Sequence, residues 1–102
     1  MEAFDLESLL TFSGTSPTKK VFFESERIKA QVMGLEPGQE IPPCRMDHDV
    51  LFVILDGRGV ILADGEEMVF EKSSFLFVPK ECGTRSLRAQ TKTAVLAVQV
   101  KS

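Results

Sequence analysis

Residues 35–59, LEPGQEIPPCRMDHDVLFVILDGRG, decide how this chain folds. Glu36-Pro37-Gly38 places proline and glycine in the order of a tight turn. Ile41-Pro42-Pro43 must be extended, because proline offers no backbone donor and drives its predecessor out of the helical region. Val50 to Leu55 is an unbroken apolar run, suited to a strand buried on both faces. Asp56-Gly57-Arg58-Gly59 then turns the chain back.

The same grammar continues on either side. Upstream, Ile28 to Leu35 alternates Ile28, Ala30 and Val32 against Lys29, Gln31 and Met33, the pattern of a half-buried strand. Val21-Phe22-Phe23 is rich in β-formers. Residues 1–19 are a mixed lead-in, in which Leu6, Leu9 and Leu10 support one helical turn before Phe12-Ser13-Gly14-Thr15-Ser16-Pro17 ends it. Downstream, Val60-Ile61-Leu62 runs into Asp64-Gly65, the strongest short hairpin signal in the chain, and Glu67 to Phe70 returns as its partner. Phe75-Leu76-Phe77-Val78 is stopped by Pro79. Ser86 to Ala89 and Ala94 to Val100 complete the set. Short strands separated by frequent turns define a small all-β barrel or jelly roll.

Composition narrows the possible functions. With 102 residues the chain has room for one core. Its 12 basic and 15 acidic residues leave a net charge of −3, so there is no basic excess to neutralise nucleic-acid phosphates. No apolar run approaches the roughly 20 residues that span a bilayer, and Met1-Glu2-Ala3-Phe4-Asp5 is acidic where a secretory leader would be basic. The expectation is a cytoplasmic protein with no membrane and no nucleic-acid partner. Cys44 and Cys82 are its two cysteines, without a CxxC, and in a reducing compartment they read as free thiols.

Between Gly38 and Gly57 the spacing resembles the cupin family of small barrels. That family's first motif is a glycine, five residues, HxH, three or four residues, a glutamate, six residues and a glycine. Gly38 and Gly57 close this register, and Phe75-Leu76-Phe77-Val78-Pro79 resembles the start of the second motif. The resemblance covers roughly residues 20–100. It implies a single cupin-like jelly-roll β-barrel over residues 20–102 and a homodimer; residues 1–19 lie outside its motifs, and their Phe4, Leu6, Leu9 and Leu10 are expected to cover an open sheet edge of the barrel or of a partner. It also implies which residues stand where the three histidines and one glutamate of the family's metal centre would be: Cys44, Met46, Val50 and Thr84. None suits the hard iron(II) or manganese ion of such a centre, which takes imidazole and carboxylate.

Strand alternation puts Cys44, Met46 and Val50 on one face, and the resemblance makes that face the inward one, continued by Phe52 and Ile54. The expected pocket is therefore apolar: Cys44, Met46, Val50, Phe52 and Thr84 around a small apolar ligand, with no cofactor. A barrel packed shut by its own side chains is the plainer reading of the same row. The alternative is a soft-metal or thiol-dependent site for copper or zinc, built from Cys44, Met46, His48 and Cys82. His48 is the only histidine and sits between Asp47 and Asp49, in what reads as an exposed turn. Arg88 is the cation expected to line the mouth. Cys44 would be a nucleophile without an evident base, so the reading leans away from an enzyme. The function expected is a small-molecule-binding or structural domain.

Overall fold

The structure is a computed structural model that describes residues 1–45 and 47–101. One helical turn, α1 (Leu6–Leu9), precedes nine strands among these residues: β1 (Thr18–Glu24), β2 (Ile28–Leu35), β3 (Glu40–Cys44), β4 (Asp49–Asp56), β5 (Arg58–Ala63), β6 (Glu66–Glu71), β7 (Phe75–Val78), β8 (Arg85–Ala89) and β9 (Thr93–Val100). All pairings are antiparallel. They build two sheets, β1-β2-β9-β4-β7 and β3-β8-β5-β6, which face each other as a jelly roll rather than closing into one ring.

The core lies between the sheets. Leu35, Phe52, Ile54 and Val95 from the larger sheet meet Ile61, Phe70 and Leu87 from the smaller one, all buried. Gly59 makes this contact possible. A β-carbon there would strike the Arg88 carbonyl and come within 2.8 Å of the Phe70 ring, so only hydrogen fits. At the β5–β6 hairpin, Asp64 and Gly65 take φ of 48° and 80°, the left-handed pair of a type I′ turn.

Burial in two strands is not what local pattern alone shows. In β2 the core receives Met33 and Leu35. Ala30 and Val32 point outward and are nonetheless buried. The reason is the lead-in, which lies over the outer face of the larger sheet. Gly34 shares that face, and a β-carbon on it would run into the Thr11 carbonyl and touch the Phe12 ring. The Thr18 hydroxyl donates to the Thr11 carbonyl (2.6 Å), and the Gln39 side-chain amide donates to the Ser13 carbonyl (2.7 Å). Phe4 stands edge-on to Phe22 and Phe23 at 5.2 and 6.3 Å. In β4, Val50, Phe52 and Ile54 are buried, whereas Leu51, Val53 and Leu55 are half-buried on the outer face. The apolar run thus serves one covered face and one partly open one.

The prolines of β3 set up the site. β3 is an edge strand, where a missing donor costs no ladder bond. Ile41 pairs with Leu87 and Cys44 with Arg85, three residues on one strand against two on the other. The bulge at Pro42-Pro43 absorbs the extra residue, so Ile41 and Cys44 face the same way despite their odd spacing.

Candidate functional site

At one end of the sandwich the inner faces of the two sheets leave a cavity of about 50 Å³. Val50 and Phe52 of β4 form its apolar wall with Met33 and Ala97; Ile41 and Leu87 face them from the smaller sheet. Polar groups ring the opening: Gln31, Gln99, the exposed Lys19 side chain and the exposed Cys44. Of the expected pocket residues, Cys44, Val50 and Phe52 line this cavity. Thr84 is exposed in the loop before β8, and its carbonyl is held by the Asp64 backbone amide at 3.0 Å. Met46 lies outside the described residues.

The side chain that takes the inward position on β8 is Arg85, the residue after Thr84. It is 4% exposed and lines the cavity opposite its register partner Cys44. Its Nη2 is buried without a hydrogen-bond partner among the described residues. No described aspartate or glutamate lines the cavity, and its two charged residues, Lys19 and Arg85, are both cations. Burial pulls the Arg85 guanidinium below its ordinary pKa, with Cys44 and Cys82 acting in the opposite direction. An arginine nonetheless stays charged in a protein. The mouth is therefore positive: beside the apolar residues expected from sequence stand Arg85, Lys19, Gln31 and Gln99. Arg88, expected at the mouth, is exposed on the opposite face of β8, across from Glu40. The signal for Arg85 was available: Leu87 and Ala89 face the core, and counting back by two reaches Arg85.

The loop into β8 is held by Asp64. One carboxylate oxygen accepts the backbone N–H groups of Gly83 (2.7 Å) and Thr84 (3.1 Å). Cys82 in this loop is buried, and its thiol donates to the Thr84 carbonyl at 3.1 Å. Burial, reinforced by the nearby Asp64 charge, pushes the Cys82 thiol up. His48 is half-buried rather than exposed, with Nδ1 unpartnered among the described residues. Among the described residues no three His, Cys, Asp or Glu side chains come together to hold a metal ion. The mouth does not fit the cupin metal: Val50 has no donor atom, and the buried guanidinium would repel a cation.

A second, larger depression of about 510 Å³ opens where the edge strands β6 and β7 fail to meet. Met68, Leu76 and Phe77 form its sides and Ile61 and Cys82 its floor, with Asp64, Glu66 and Glu81 at its rim.

No protein-family model and no curated protein matches the chain. Solved structures do. The TT1209 protein from Thermus thermophilus superposes with a TM-score of 0.90 at 24% identity, over 99% of this chain and 98% of that one. An RmlC-like cupin from Desulfovibrio desulfuricans gives 0.88 at 23% identity, covering 98% and 96%. A cupin superfamily protein from Desulfitobacterium hafniense gives 0.87 at 18%, covering 99% and 92%. The fold is that of a small single-domain cupin, as the glycine spacing implied. No helix among the described residues is long and apolar enough to cross a membrane.

Proposed function

We propose that this chain is a binding module, a cupin-fold domain whose mouth receives part of a small molecule without a resident metal. The observation that carries the reading is the cavity between the sheets at the cupin mouth, lined by side chains of both sheets and bearing Arg85 on β8. Its size constrains the mode of binding. Pockets that enclose a drug-sized ligand measure roughly 300–1,000 Å³. A volume of about 50 Å³ admits a head group, and the rest of the molecule stays outside. The two unpaired thiols support a reducing, cytoplasmic setting.

We also propose that two copies pair through the outer face of the larger sheet. Phe75 and Phe77 are 62% and 54% exposed there, beside half-buried Leu51, Val53, Leu96 and Val98. A contiguous apolar surface of this kind marks an interaction site.

The test is elemental analysis of untagged protein purified under reducing conditions without chelator, together with mass spectrometry of small molecules released on denaturation. The binding reading expects no stoichiometric metal and a released compound that is lost when Ala97→Phe fills the mouth. About one equivalent of copper or zinc per chain, abolished by Cys44→Ala, would replace it with the soft-metal reading.

A further inference from the structure

Arg85 is expensive to keep where it is. A buried guanidinium without a partner anion carries an uncompensated desolvation penalty, and such groups persist in proteins when they are paired or when they bind something. Here Nη2 has no partner among the described residues, and none of them brings a carboxylate into the cavity. The resemblance to metal-bearing cupins makes the contrast chemical: a fixed cation stands in the mouth, and its complement is an anion.

We propose that the mouth is an anion seat, and that the ligand it accepts is a small molecule bearing a carboxylate, bound head-first with its oxygens on the Arg85 guanidinium. This rests on the mouth being a small-molecule site and adds the class of ligand. Three features select a carboxylate. The guanidinium is a planar fork that matches the two oxygens of a carboxylate. The cavity of about 50 Å³ has room for a flat head group carrying one or two carbons. Its wall at Val50, Phe52 and Leu87 is apolar, which suits an aliphatic carbon next to the carboxylate. Lys19 at the rim adds a second positive charge along the entry path, and no described acidic side chain in the lining cancels that attraction.

The experiment is an NMR titration of the full chain at constant ionic strength. The probes are propionate, its neutral isostere propionamide, and inorganic phosphate; the signals followed are the Arg85 side-chain N–H and the backbone amides of Ile41, Val50 and Leu87. The expected result is saturable binding of propionate, with propionamide about tenfold or more weaker. Arg85→Met is expected to lose roughly ten- to a hundredfold in propionate affinity, the size of a charge-assisted hydrogen bond. Arg85→Lys keeps the charge without the fork and is expected to fall in between. Ligand-free Arg85→Met is expected to melt at or above the wild-type temperature, because the arginine serves the ligand rather than the fold.

Equal binding of propionate and propionamide, unchanged in Arg85→Met, would overturn the anion seat and leave the small-molecule reading standing. A preference for phosphate over propionate would overturn the carboxylate assignment. No saturable response to any probe would overturn the anion seat, while the small-molecule reading stands or falls with the released-compound analysis. Should Arg85→Met fail to fold while Arg85→Lys folds and binds all three probes alike, Arg85 is a structural strut and the proposal falls.

Discussion

Asp64 performs two tasks at one position, and a substitution series separates them. It holds a left-handed φ of 48° in the β5–β6 turn, and one of its oxygens accepts the N–H groups of Gly83 and Thr84 at 2.7 and 3.1 Å. A hydrogen bond to a charged acceptor contributes about 1.5–3 kcal/mol. Both bonds here are exposed, so water recovers part of that, and about 1–2 kcal/mol for the pair is the better figure. A left-handed backbone costs an alanine roughly 1–2 kcal/mol, and an asparagine or glycine much less. Asp64→Asn keeps an acceptor and the backbone preference, and should lose about 0.5–1 kcal/mol. Asp64→Gly keeps only the backbone freedom and should lose about 1–2 kcal/mol. Asp64→Ala loses both and should fall by about 2–4 kcal/mol. A domain of this length shifts its melting temperature by roughly 4–8 °C per kcal/mol. Thermal unfolding should therefore order the proteins wild type, Asn, Gly, Ala, with Ala down by about 10 °C or more. A glycine variant as stable as wild type would show that the two bonds contribute nothing. An asparagine variant as unstable as alanine would show that neither the retained acceptor nor the turn geometry matters as argued. The same series should weaken any ligand held at the mouth, because Gly83 and Thr84 deliver the chain to Arg85.

Other expectations follow from burial and charge. Iodoacetamide should label exposed Cys44 readily and Cys82 only as the native state opens, giving a single-adduct plateau by mass spectrometry; simultaneous loss of both thiols would contradict the placement of Cys82. Gly59→Ala should destabilise by about 1–3 kcal/mol, since its β-carbon meets the Arg88 carbonyl and the Phe70 ring, and an unchanged denaturant midpoint would refute that packing. The Lys101 ammonium, bonded to Glu24 at 2.7 Å, holds the exposed Glu24 carboxyl below its ordinary pKa. The stabilisation from this pair is present above the unfolded glutamate pKa and lost as pH falls through the lowered folded value. The stability gap between wild type and Lys101→Ala should therefore close on acidification, and a gap that persists in acid would assign the lysine's role to its hydrogen bond with the Ser25 carbonyl instead.

Strand identity was legible because turn residues are explicit: Pro37-Gly38, Asp64-Gly65 and Pro79 each end or reverse an element where they stand. Strand facing was less so. Ala30 and Val32 look like core residues by alternation, yet a segment twenty residues upstream covers them from outside, and no local pattern announces that cover. The mouth was half legible. Val50 and Phe52 followed from parity, and Cys44 from the glycine spacing, although its facing depends on the bulge at Pro42-Pro43. Arg85 is hidden from a motif register carried across the loop after Pro79, where fixed offsets fail; counting backwards from Leu87 along the strand, where they hold, reaches it. A polar residue inside a strand also reads as solvent-facing until its neighbours' burial is known.

That loop, Lys80 to Thr84, has a consequence for how such sites diverge. The strand, not the loop, fixes which residue of β8 faces the interior: with Leu87 and Ala89 packed in the core, alternation places Arg85 inward whatever the length of the loop before it. An inserted or deleted residue in the loop therefore leaves the guanidinium at the cavity, and the charge of the mouth changes only by substitution at position 85 itself. The loop is thus free to vary in length while the core side chains of β8 and the inward place of Arg85 are retained.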